Sequence, residues 1–301
     1  MPAPVDAGFH PHYPQSVMVL EFPGPLQLSD RFQQGHLPEF LHRACLFEHP
    51  EICAPVKELH FFSRPRYETE GSEWYERHFA ACPSATKAGE FSTSYLYSEA
   101  AAARIATDYP HVKLIAVVRH TLERAYSQYR NAIKGGEVAK TMTFAEYAKV
   151  EPSCLAQGRY GEQLARYFEH FTKEQLLVLR YEDSATDPLG FIQSIYAHLG
   201  VDVGYVPPSL ESRINVARVP RATGIDRVMH RVAEWLRRIG FSQAVHLVKR
   251  SGITDAIRRI NTDAAATPEK PDLSAYAEYF SDDLATLSEL LGTDMRVYWN
   301  L

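Results

Sequence analysis

Nowhere in the 301-residue sequence is there an apolar run of the roughly 18 residues that a membrane-spanning helix needs, so no such helix is expected. Cysteine is scarce. Cys45, Cys53, Cys82 and Cys154 form no CxxC pair and lack a histidine at metal-ligand spacing, which argues against a zinc site or any other metal site. So sparse a set does not suggest the disulfide framework of a small secreted domain, and the four read as free thiols in a reducing cytoplasm. Positive charge is not in excess: 32 Lys and Arg stand against 37 Asp and Glu, a formal net charge of −5, which speaks against a nucleic-acid partner. A phosphate pocket must then be built from a few residues. There is no G-x-x-x-x-G-K-[ST] loop and no magnesium-ligand pattern, so a nucleotide kinase is disfavoured. The opening stretch lacks the basic-then-apolar order of a signal peptide, and no internal repeat or low-complexity tract occurs.

What is present is an alternation of short apolar strands with amphipathic helices. Residues 17–22 read as a buried strand and 37–47 as a helix, followed by an extended, proline-punctuated stretch and a helix in "EGSEWYERHFAAC". Further strands are expected in "KAGEF", at 114–118 and in "QLLVLR". Helices are expected in the Ala-rich run before residue 108, in "TFAEYAKV", in "GRYGEQLARYFEHF" and in "PLGFIQSIYAHLGV", the last closed by Gly200. This pattern predicts an α/β fold, a central mainly parallel sheet flanked by helices, with ligands at the carboxyl ends of the strands. From about residue 209 the texture becomes polar turns and helices, notably "DRVMHRVAEWLRRIG" and "DDLATLSELLG". The organisation expected is a loose leader at 1–15 and a single domain over 16–301 with a helical C-terminal part, "NTDAAATPEKPD" serving as a flexible connector.

The segment "KLIAVVRHTLERAYSQYRNAI", residues 113–133, concentrates the chemistry. An apolar strand ends on Arg119 and runs directly into a helix whose Leu122, Ala125, Tyr126, Tyr129 and Ile133 form one stripe, with His120, Arg124 and Ser127 on another side. A helix start beyond a parallel strand favours anions, and a guanidinium there suits a phosphate. From this segment alone, Arg119 is equally well read as the partner of a structural carboxylate.

Several blocks, in order, resemble the sulfotransferases that use 3′-phosphoadenosine 5′-phosphosulfate (PAPS), in particular their heparan-sulfate-type and bacterial branch. "VVRHTLERAYSQY" is similar to that family's 3′-phosphate motif, which implies that Arg119 and Ser127 bind the nucleotide. "PVKELHFF" resembles the segment that carries the catalytic base, implying Glu58 in that role with Lys57 and His60 assisting. A positioned carboxylate is what a hydroxyl nucleophile needs. "AGEFSTSYLYS" resembles a family loop near the substrate, implying substrate contacts for Glu90 and Tyr95, although Phe91 stands where many members carry lysine. "INVARVPRA" is similar to a C-terminal segment near the nucleotide and makes Arg218 and Arg221 candidate phosphate contacts, a solvated basic loop being as good a reading.

The resemblance implies a P-loop NTPase-like sulfotransferase fold, PAPS as co-substrate, no metal, and a saccharide or other small-molecule alcohol as acceptor. One family feature is missing: no Lys-x-Gly-Thr loop follows the first strand, which continues as "FPGPLQLSDRFQQGHLPEF". That loop normally stabilises the transferring group. Three explanations stand: another cation such as Lys57 or Arg64 replaces it, the protein binds nucleotide or acceptor without turnover, or residues 20–48 reflect a frameshift in the coding sequence.

Overall fold

The computed structural model describes residues 17–21, 45–55, 58–83, 86–211, 219–220, 262–263 and 271–301. Residues 37–44 of the helix predicted over 37–47, the helix predicted in "DRVMHRVAEWLRRIG", the connector before residue 271, and Lys57, Arg218 and Arg221 lie outside these residues, while 45–48 are helical. Five strands, β1 (Val17–Glu21), β2 (Ile52–Cys53), β3 (Lys87–Phe91), β4 (Lys113–Val118) and β5 (Leu176–Arg180), form one sheet in the order β2-β3-β1-β4-β5. Every pairing in it is parallel. A separate two-stranded antiparallel pair joins β6 (Val219–Pro220) to β7 (Thr262–Asp263).

The apolar run of β4 explains why this sheet is covered on both faces. Side chains alternate along a strand. Leu114, Ala116 and Val118 enter one core, and Ile115 and Val117 enter the other. The larger core takes its helical walls from α1 (Arg66–Arg77), α2 (Ala101–Asp108), α3 (Thr121–Gly135), α4 (Phe144–Val150), α5 (Ser153–Ala156) and α6 (Tyr160–Phe168). The short α7 (Asp183–Thr186) leads to α8 (Pro188–Leu199), which closes the smaller core by sending Phe191, Ile192, Ile195, Tyr196 and Leu199 inward. α8 has the signals read from its sequence: Asp187 accepts the Gly190 N–H at 2.9 Å as N-cap, Pro188 starts the helix, and Gly200 ends it in the left-handed conformation at φ 68°.

The C-terminal α9 (Ser281–Leu291) and α10 (Met295–Trp299) pack back onto the larger core through Leu284, Leu287, Met295 and Trp299. Asp283 of α9 accepts the Gly161 and Glu162 N–H groups at 3.0 and 2.8 Å, capping α6 across 121–122 residues of sequence. A Cβ on Gly161 would stand 2.3 Å from the Asp283 carbonyl oxygen, so only glycine permits this approach. No helix among the described residues is long and apolar enough to cross a membrane.

The cysteine reading needs correction. Cys53 and Cys82 are not free thiols: they form a disulfide with Cα atoms 5.7 Å apart. β2 pairs with β3, and α1 returns the chain beside them, bringing together two residues that are 29 positions apart in sequence. Cys45 and Cys154 are free and buried, and burial pushes the Cys154 thiol up to about 11.

Candidate active site at the carboxyl end of the sheet

β1 is the central strand, and its neighbours β3 and β4 end on opposite sides of it. The loops that leave β2, β3, β4 and β5 at this edge carry the residues singled out from sequence, in the position expected of a ligand site in an open α/β sheet.

On the β4 side, Arg119 is half-buried, and among the described residues it pairs with no carboxylate. Its guanidinium lies over the Tyr181 ring, 5.2 Å from the ring centre. The strand-to-helix junction is fixed next to it: the His120 N–H donates to Glu182 Oε1 at 2.8 Å, and Glu182 Oε2 accepts from Trp299 Nε1 at 3.3 Å. Thr121 opens α3 with no exposed surface, and its hydroxyl has no partner among the described residues. Such orphaned buried groups are uncommon in folded proteins and here sit at a helix N-terminus. Ser127, at the end of the second turn, is half-buried.

Arg124 departs from the sequence reading. It is 3% exposed, donates to the Cys154 carbonyl and to Gln128 Oε1, each at 2.9 Å, and also donates to Gln157. Its charge joins α3 to α5, so Arg119 rather than Arg124 supplies the cation at the strand end.

On the β3 side, residues 58–62 form a tightly held loop. Glu58 is half-buried and His60 likewise, and both have positive φ, 55° and 52°. For residues with a Cβ, that conformation costs about 1–2 kcal/mol each. The loop is held by bonds from β3 and the residues after it. The Glu58 N–H donates to the Phe91 carbonyl at 2.8 Å, the Leu59 N–H to Glu90 Oε2 at 3.1 Å, the His60 N–H to Ser92 Oγ at 3.0 Å and the Phe61 N–H to the Tyr95 hydroxyl at 2.9 Å. His60 Nδ1 shares a hydrogen bond of 2.7 Å with Ser94 Oγ, which is 2.6 Å from Ser63 Oγ. Phe61 and Phe62, wholly buried against Tyr75 and Tyr95, anchor the far end.

Glu90 and Tyr95, expected at the substrate, are instead enclosed, each with no exposed surface. Tyr95 donates to Glu90 Oε1 at 2.5 Å and Ser92 donates to Glu90 Oε2 at 3.0 Å. Burial pushes the Glu90 carboxyl above its ordinary range, and the bonds from Tyr95, Ser92 and the Leu59 N–H oppose that rise. The inward side chain of Glu90 follows from β3 being an interior strand, and Tyr95, in the turn after it, packs against Phe62. The sequence reading also missed Ser92, Ser94 and Thr121, whose only local signal is a hydroxyl placed just after a strand.

Residues 95–205 match the sulfotransferase family, a span that includes Arg119 and Ser127 and leaves Glu58 and Glu90 outside. The chain is 31% identical over 160 residues to the bifunctional heparan sulfate N-deacetylase/N-sulfotransferase 1 of Xenopus laevis, covering 48% of this chain and 18% of that protein. It is 29% identical over 175 residues to the human bifunctional heparan sulfate N-deacetylase/N-sulfotransferase 2, covering 54% of this chain and 20% of that one. The chain thus spans about a fifth of the length of these curated relatives. In fold it is similar to a sulfotransferase from Alicyclobacillus acidocaldarius, with a TM-score of 0.64 at 20% identity over 96% of this chain and all of that one. The strand that ends on Arg119, the helix that follows and the β5-α8 unit all lie within the stretch that matches the sulfotransferase family.

Proposed function

We propose that the protein transfers a sulfuryl group from PAPS to the hydroxyl of a saccharide or other small-molecule alcohol. The observation that carries this reading is the presence, at one strand end, of a guanidinium and a buried helix-start hydroxyl that, among the described residues, have no carboxylate and no hydrogen-bond partner respectively. Arg119, Thr121 and Ser127 together offer a cation and two hydroxyls to a dianion, and the α3 N-terminus adds its dipole. These groups suit the 3′-phosphate of the nucleotide. Strand spacing puts the ends of β3 and β4 about 10 Å apart, across the end of β1, with the Glu58 loop bonded to the one and Arg119 beyond the other.

When bound, PAPS supplies the activated sulfuryl group. Glu58 accepts the proton of the acceptor hydroxyl as that oxygen bonds to sulfur and the bond from sulfur to the 5′-phosphate oxygen breaks, releasing 3′,5′-ADP; His60, oriented through Ser94, lies two residues away to polarise or orient the acceptor. Transfer of this kind depends on charge stabilisation more than on covalent chemistry, by analogy with phosphoryl transfer. Lys57, Arg218 and Arg221 are the further cations that the sequence offers for the phosphosulfate.

The test is turnover of labelled PAPS with a panel of saccharides and small alcohols. Glu58→Gln is expected to lower transfer by about 10²- to 10⁴-fold while 3′,5′-ADP binding measured by calorimetry persists. Unchanged transfer in that variant removes Glu58 from the mechanism. Nucleotide binding with no transfer to any acceptor marks the protein as a binder without turnover.

A further inference from the structure

Glu90 is a carboxylate with no exposed surface, and among the described residues no lysine or arginine pairs with it. An ionised carboxylate in that position needs donors from elsewhere. It receives the Leu59 N–H at 3.1 Å, the Ser92 hydroxyl at 3.0 Å and the Tyr95 hydroxyl at 2.5 Å, and the buried Tyr75 hydroxyl bonds to it as well. Two of these hydroxyls accept in turn from the loop opposite, Ser92 from the His60 N–H at 3.0 Å and Tyr95 from the Phe61 N–H at 2.9 Å. Three consecutive backbone amides therefore converge on one carboxylate, directly or through a single hydroxyl.

Successive N–H groups turn toward a common point only when the backbone alternates into the left-handed region, which makes a concave nest for an anion. Glu58 and His60, with φ of 55° and 52°, supply that alternation, and they are the two described residues of this loop to which chemistry is assigned. We propose that Glu90 is the positioning residue of this site, an internal anion that fills the 59–61 nest and thereby holds Glu58 and His60 in the left-handed conformation that fixes where their side chains sit. This deepens the sulfotransferase reading and rests on Glu58 being the base. Ser92 and Tyr95 act as its two relays. An enclosed carboxylate spanning a strand and a strained loop gives that loop an order that its own sequence does not encode.

Two readouts test it on the full chain. Amide hydrogen exchange needs no activity: Glu90→Gln is expected to speed exchange at residues 59–61 by tenfold or more and to leave the β4 amides of Ile115 to Val117 unchanged. Unchanged exchange at 59–61 overturns the proposal. Should Glu90→Gln lose protection throughout the chain, Ser92→Ala decides, because it keeps the carboxylate and deletes one relay; faster exchange at His60 is then expected, and its absence overturns the proposal.

The second readout is kinetic. Glu90→Gln is expected to lower kcat at least tenfold, with acceptor KM and 3′,5′-ADP affinity within about twofold of the parent. Placed in the Glu58→Gln background, it should cause no further loss. If it lowers the residual rate of Glu58→Gln by the factor seen in the parent, Glu90 does not act through Glu58 and the proposal falls. If the parent transfers sulfate to no acceptor, the sulfotransferase reading fails, and the exchange experiment alone decides whether Glu90 organises the loop.

Discussion

Arg119 sits where a strand's last peptide hands over to a helix, and among the described residues its side chain is held by a ring rather than by an opposite charge. A guanidinium left uncommitted in this way is available to an incoming phosphate. Arg119→Ala is therefore expected to weaken 3′,5′-ADP binding by on the order of 10- to 100-fold, the worth of one charge-assisted contact, and calorimetry at two salt concentrations should show a reduced salt dependence. His198 gives a second prediction. Its ring shares a hydrogen bond of 3.0 Å with the Leu114 carbonyl beside the sheet, and burial, followed by the nearby Lys113 charge, lowers its pKa. A base with a depressed folded pKa contributes stability above its unfolded value of about 6.5, and that contribution is lost as pH falls through the lower, folded value. Thermal unfolding of the parent should thus weaken as pH drops below about 6.5, and His198→Gln should remove that component of the slope. At this scale the sequence was legible where position along a strand decides the outcome, as for Arg119. It was misleading for Arg124, because the helix periodicity that groups it with Ser127 says nothing of the Cys154 and Gln157 acceptors that α5 brings to it.

Elements were legible wherever their ends are marked chemically. The Asp187 cap, Pro188 and Gly200 bound α8, and Thr143 with Glu146 forms a capping box at the start of α4. β2 was not legible, since two residues exist as a strand only because β3 lies alongside them. The contact of α6 with α9 is likewise invisible locally: it joins an aspartate to a glycine and two helix-start amides more than 120 residues earlier in the chain. Gly161→Ala is expected to cost about 1–3 kcal/mol, the usual penalty of overpacking, because the new methyl meets backbone rather than a movable side chain. Asp283→Ala should cost about 1–2 kcal/mol as a lost helix cap. Chemical denaturation of each variant measures both, and a neutral Gly161→Ala would show that the helices separate at no cost.

For the molecule as a whole, the 53–82 disulfide ties the outermost strand to the segment preceding β3 and encloses both the Glu58 loop and α1. Closing a loop of that length restrains the unfolded chain by about 3.5 kcal/mol, so unfolding in the presence of a reductant should start at a clearly lower temperature than without it. The Cys53→Ser variant should match the reduced protein. The sequence by itself determined the α/β class, the parallel sheet and the arginine at the end of β4, because period-two and period-3.6 patterns, caps and strand ends are local consequences of backbone geometry. Only the tertiary structure decided that Cys53 meets Cys82, that Glu90 turns inward to hold the Glu58 loop, and that Asp283 reaches α6. Each depends on which strands and helices become neighbours, and that choice is made by burying two cores on one sheet rather than by any short stretch of residues.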